Sequence, residues 1–225
     1  MTFSIVARCA ETGQFGVAIS SSSPAVAARC AFARAGVGAV ATQNVTNPAL
    51  GPFVLDRLAA GDTASAAVAA ARDSDDFSAF RQILCVDADG RAAIHSGARA
   101  LGIWTQAEGP GCAAGGNMLA DAGVPAAMIA AFGTTAGALG GRLVAALRAG
   151  LAAGGEAGPV HSAGLLIVDR ESWPYAELRC DWEPEACPIA HVARAWAVYA
   201  PQAADYVTRA LCPEAAPSYG VPGDD

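Results

Sequence analysis

Residues 2–20 read TFSIVARCAETGQFGVAIS. Two runs within it, FSIVAR (3–8) and QFGVAIS (14–20), are rich in the β-branched and aromatic residues that pack well on a pleated surface. Glu11-Thr12-Gly13 between them is a turn sequence, so the stretch predicts a β-hairpin. Its first strand opens on Thr2, directly behind Met1. One reading makes Thr2 an ordinary strand residue. The other follows from chemistry: threonine is small enough for Met1 to be removed ahead of it, which leaves one residue with both a hydroxyl nucleophile and a free amine. An α-amine titrating near ~7.7–8.0 accepts a proton at neutral pH. Nucleophile and general base are then one residue, the N-terminal-threonine form of acyl transfer.

Outward from the hairpin, SSSS (20–23) ends the second strand, and GVGAVATQNV (36–45) predicts a third. Asn47-Pro48 offers an N-cap and an N1 proline for a helix over 48–61. Gly61-Asp62 closes that helix and caps another over 62–75. RQILCVDADGRAAIHSG (81–97) is a second hairpin, with Asp89-Gly90 suited to a tight I′ turn. The glycine-rich EGPGCAAGGNML (108–119) reads as a connection into helices near 117–132 and 136–153. Strands over 162–171 and 175–184, helices over 188–200 and 201–211, and a Pro/Gly-rich tail complete the chain. Antiparallel strand pairs alternating with paired helices predict an α+β fold, a four-layer αββα sandwich of two antiparallel sheets. The chain is expected to form one domain over 1–225, with 185–225 a C-terminal helical extension and flexible tail.

Composition narrows the function classes. The net charge is −7, and all 14 basic residues are arginine. Such a surface argues against nucleic acid and anionic membranes, which need basic patches. The most apolar long stretch, 136–155, is broken by Arg142 and Arg148 and reads as a helix of a globular domain. Without a basic and apolar leader, a cytoplasmic location is expected, with the seven cysteines reduced. His95, His161 and His191 are too far apart for metal-ligand spacing, so no metal is expected. The GPGCAAG glycines miss the dinucleotide spacing and no GxSxG elbow occurs, so no cofactor and no serine-hydrolase triad are expected.

Several phrases carry a resemblance. TFSIVAR (2–8), GVGAVATQ (36–43) with Asn47-Pro48, Arg81-Gln82 ahead of VDADGR (86–91), GGNMLA (115–120), VPAAM (124–128) and the arginine, leucine and glycine pattern of 142–155 are similar to a bacterial family. That family is filed as domain-of-unknown-function family 1028, with a fold like that of the N-terminal nucleophile (Ntn) hydrolases. The likeness to Ntn hydrolases runs through about residues 2–170 in order.

The resemblance implies an amidohydrolase that cleaves a C–N amide bond of a small or peptide-like substrate, with Thr2 as nucleophile. It implies oxyanion donors near the end of the third strand, from Thr42 to Asn44, with Gln43 and Asn44 adding side-chain donors. Asn117, at the start of the helix after the mid-chain hairpin, faces the nucleophile or caps that helix. Ser21 and Ser22 lie beside the N-terminus and contribute to substrate binding. Proteasome-type members place a lysine near the nucleophile, and this chain has none. Arg29 and Arg34 supply a positive field instead, though arginine cannot relay a proton. The alternative is a non-catalytic binding or scaffold protein that keeps the fold. A homodimer or higher homo-oligomer is expected from the alanine-rich chain and its edge strands.

Overall fold

In the computed structural model residues 1–222 are described. The opening hairpin forms as read: Thr2–Arg8 (β1) pairs with Phe15–Ser21 (β2), from Phe3 opposite Ser20 to Arg8 opposite Phe15. A short helix, Val26–Cys30 (α1), leads into Ala31–Arg34 (β3) and Gly38–Asn44 (β4). Helices Leu50–Ala59 (α2) and Ala64–Ser74 (α3) follow, then strands Arg81–Asp87 (β5), Ala92–Ser96 (β6), Ile103–Gly109 (β7) and Cys112–Leu119 (β8). Helices Val124–Thr134 (α4) and Leu139–Ala152 (α5), strands Ser162–Val168 (β9) and Ala176–Cys180 (β10), and helices Pro188–Tyr199 (α6) and Ala203–Leu211 (α7) complete the fold.

The strands form two antiparallel sheets, ordered β10-β9-β2-β1-β8-β7 and β3-β4-β5-β6. β1 is buried along nearly its whole length because both its faces are covered. Phe3 and Ile5 face a helical layer with Met128, Phe132, Leu143, Leu147 and Ile189. Val6 faces the second sheet with Ala41, Leu84 and Val86. Each such buried Phe or Ile is worth about 1.5–3 kcal/mol of hydrophobic stabilisation. On the far side, α2 and α3 cover Val40, Ile83 and Cys85. The four-layer αββα sandwich is therefore present. Side chains alternate along a strand, so Thr2 shares its face with Ser4 and Val6 and points between the sheets.

The structure departs from the sequence reading in several places. Helix α2 starts at Leu50 behind Ala49 rather than at Pro48 behind Asn47, whose Oδ1 accepts from Ala49 N at 3.2 Å. Residues 108–119 are not a connection: they are the end of β7, a turn at Pro110-Gly111 and the whole of β8. Helix α4 accordingly starts at Val124 rather than 117. Neither α1 nor β3 has a counterpart in the sequence reading. Asp89-Gly90 does not make a I′ turn, because Gly90 alone has a positive φ (78°) and the loop wraps the Asp87 carboxylate. The cap of α3 is Thr63, whose hydroxyl accepts from Ala66 N at 3.2 Å, not Asp62.

The expected extension over 185–225 contains α6 and α7, but α6 is built into the main core through Ile189 and Val192. The described part of the tail folds back on α7, where Arg209 donates to Pro217 O and lies 3.8 Å over the Tyr219 ring. The last three residues of the expected flexible tail, 223–225, lie outside the described residues. Among the described residues, no helix is long and apolar enough to cross a membrane.

Candidate active site

Thr2 opens β1, flanked by the end of β2 on one side and by Asn117 of β8, its cross-strand partner, on the other. It is buried. Its hydroxyl lies against the Met1 carbonyl oxygen and 3.3 Å from Ser21 Oγ. Ser21 Oγ donates to that same Met1 carbonyl at 2.5 Å. A hydroxyl has one proton to give. With its own directed at Met1, Ser21 Oγ accepts from Ser23 N at 3.1 Å and lies 2.8 Å from Ser23 Oγ. Ser23 Oγ in turn accepts from Arg29 Nη2 at 2.7 Å. Arg29 also donates to the carbonyls of Pro24 and Ala25, where the backbone turns through a left-handed residue (Ala25, φ 52°). A chain of polar contacts therefore runs from Arg29 through Ser23 and Ser21 to Thr2.

A buried carboxylate completes the surroundings. Gly154 and Gly155, both at positive φ, turn the chain out of α5 and back beside β8, where Glu156 bridges to Leu119. The Glu156 oxygens both accept from Ser22 N, at 3.1 and 3.0 Å. Burial pushes this carboxyl up to about 7, opposed by the positive Met1 amine and by the Ser22 hydrogen bonds. His161 stands nearby: its N–H bonds Ser21 O at 2.9 Å, its Nδ1 lies 2.8 Å from Glu183 O, and its ring packs on Trp182 at 4.7 Å. Neither Glu156 nor His161 was among the residues the sequence singled out for this site.

The other expected residues divide. Asn117 sits on a strand rather than at a helix start, so it caps nothing. Its Nδ2 reaches Gln82 Oε1 at 3.4 Å, while its buried Oδ1 has no hydrogen-bond partner among the described residues. Ser22 contributes its backbone N–H to Glu156. Gln43 is buried between the sheets, where it accepts from Ser4 Oγ at 2.7 Å and donates to Gln82 Oε1 at 2.7 Å and Gly115 O at 3.2 Å. The backbone of 42–44 pairs with β5. Asn44, at φ 74°, is spent on structure: Nδ2 donates to Phe80 O, and Oδ1 accepts from Leu101 N. Arg34 pairs with Asp56 on the surface and lines a separate groove of about 680 Å³ with Phe32, Trp173 and Arg179. The structure thus brings Thr2, Ser21, Ser22, Arg29 and Asn117 together and leaves Gln43, Asn44 and Arg34 committed elsewhere. Among the described residues, no group of three or more His, Cys, Asp or Glu side chains is placed to hold a metal ion.

Fold and site define an αββα sandwich with a buried hydroxyl cluster at the open end of its central strand. The chain belongs to DUF1028, a family of unknown function, whose model matches residues 2–191. It is similar to a DUF1028 protein of known crystal structure from Silicibacter pomeroyi, at 30% identity and a TM-score of 0.83 over 91% of this chain and 92% of that one. Anbu, an ancestral beta-subunit from Yersinia bercovieri, aligns at 11% identity and a TM-score of 0.37 over 89% of this chain and 95% of that one, a level that carries no argument. A search of curated proteins finds no match.

Proposed function

We propose that the chain is an Ntn-type hydrolase that cleaves a C–N amide bond through an acyl-enzyme on Thr2, once the Met1–Thr2 bond has been cut. The observation that carries this reading is the hydrogen bond from Ser21 Oγ to the carbonyl oxygen beside the Thr2 hydroxyl. A carbonyl at that position has the Thr2 hydroxyl against it and a second hydroxyl donating to its oxygen. In the reaction, the Thr2 amine takes the hydroxyl proton as Oγ1 bonds to the substrate carbonyl carbon. The C–N bond then breaks as the amine returns the proton to the leaving nitrogen, and water releases the acyl group by the reverse sequence. Ser21 Oγ is the oxyanion donor, a role worth about 2.7–4 kcal/mol in a well-studied protease. Asn117 Oδ1, buried without a partner on the residue paired with Thr2, is the acceptor that orients the free amine.

A second reading, a scaffold that keeps the fold without chemistry, is favoured by the absence of lysine. A hydroxyl-directed β-lactone separates the two. On protein whose first residue is Thr2, the catalytic reading expects one acyl adduct at Thr2 and none on Thr2→Ala. An unreactive Thr2 supports the scaffold.

A further inference from the structure

Glu156 is a buried carboxylate with an unusual partner set. Its oxygens take donors from Ser22 alone, with the backbone N–H shared across both, and among the described residues no arginine or histidine pairs with it. His161, whose charge would act on it, has its Nδ1 on Glu183 O and its ring on Trp182. Buried carboxylates are ordinarily matched by a cation or by several donors. Here the positive charge acting most strongly on Glu156 is the α-amine of Met1, without a direct ion pair.

Met1 touches the site with its other groups as well. Its carbonyl oxygen takes the Ser21 hydroxyl. Its side chain lies over Gly158, where an added Cβ would stand 3.3 Å from Met1 Cε and 3.9 Å from Sδ. Gly158 is not at a positive φ, so its backbone does not require glycine. What its missing side chain provides is room for the thioether. Carbonyl and side chain of Met1 therefore each meet a different feature of the protein, at Ser21 and over Gly158, while its ammonium lies in the field of Glu156.

Resting on the Thr2 reading, we infer that the acyl group this site accepts is an α-aminoacyl group: Glu156 takes its ammonium, Ser21 its carbonyl oxygen, and the space over Gly158 its apolar side chain. Met1 stands in the position such a group takes. The substrate class is then an amino-acid amide or a peptide with a free N-terminus. The Thr2 Oγ1–carbonyl bond forms as the amide C–N bond breaks, the hydroxyl proton passes through the Thr2 amine to the leaving nitrogen, and water frees the amino acid.

Protection of Thr2 from the β-lactone tests this on the full chain with Thr2 as first residue. L-methioninamide is expected to protect at a concentration at least about tenfold below that of N-acetyl-L-methioninamide, the gap that one lost charge-assisted contact of about 1.4 kcal/mol produces. Glu156→Gln, which keeps the shape and an acceptor for Ser22 N, is expected to shrink that gap to twofold or less. Equal protection by the two amides, or none by either, overturns the inference while labelling of Thr2 leaves the hydrolase reading standing. Failure of Thr2 to label at all overturns both. The wild-type comparison decides the matter even where the variant does not fold.

Discussion

Two carboxylates are buried to nearly the same depth, Asp87 at 2% exposure and Glu156 at 4%, yet they are held in opposite ways. Asp87, at the end of β5, accepts from the N–H groups of Ala64, Asp89 and Arg91 and from Arg91 Nε at 2.8–3.0 Å. Burial pushes its carboxyl up, but those donors outweigh burial and hold it below the usual carboxylate value. Glu156 has donors from Ser22 alone, and burial prevails. The first carboxylate is finished architecture: it ties the start of α3 to the β5–β6 loop. The second is incomplete until a cation joins it. Burial alone does not mark a functional acid; burial with unspent acceptor capacity beside the proposed nucleophile is what singles out Glu156.

Substitutions sharpen that contrast. Asp87→Ala strands several buried N–H groups and is expected to destabilise by about 4 kcal/mol, read as a lowered denaturation midpoint. Asp87 has a depressed folded pKa, so its contribution is fully present above the unfolded value of about 3.9 and is lost as pH falls below it. Glu156→Gln is expected to act with the opposite sign. A raised folded pKa means that the neutral acid's advantage is present below about 4.5 and is lost as pH rises through about 7. The variant should match wild type near pH 4 and be more stable by up to about 3 kcal/mol near pH 8 in denaturant titrations. A variant equally stable, or less stable, at pH 8 breaks the contrast. The smallest effect is expected from Ser23→Ala, which removes the hydroxyl between Arg29 and Ser21 and should cost about 1 kcal/mol, with a slower reaction at Thr2 as its sign in the site.

Much of this architecture is legible in the sequence, because hairpins with β-branched strands and capped alanine-rich helices carry period and punctuation. β8 is not. CAAGG has no strand signature, since its small residues answer to close approach: a Cβ at Gly115 would lie 3.3 Å from Leu84 Cδ1, and one at Gly116 would lie 2.6 Å from Leu119 Cδ2. Read as a connection, the segment puts Asn117 at a helix start, whereas as β8 it sets Asn117 opposite Thr2. β3, AFAR, is four residues long and follows α1 without a break, so no turn residue announces it. Within the site, Thr2, Ser21 and Ser22 follow from their place at strand ends. Gln43 does not join them because, deeper in the same layer between the sheets, its amide is taken up by Ser4, Gln82 and Gly115. Glu156 left one faint sign: it is the lone acidic residue between Asp121 and Asp169. Only the turn at Gly154-Gly155 brings it to Ser22 at the end of β2, and that is a property of the fold.

Everything proposed for Thr2 depends on its amine being free. The most direct measurement is the intact mass of the protein isolated from the cells that make it naturally. The account predicts a mass lower by one methionine residue, with Thr2 as the first residue found on sequencing from the N-terminus. Met1 retained on the whole population would leave that amine acylated and would contradict the mechanism.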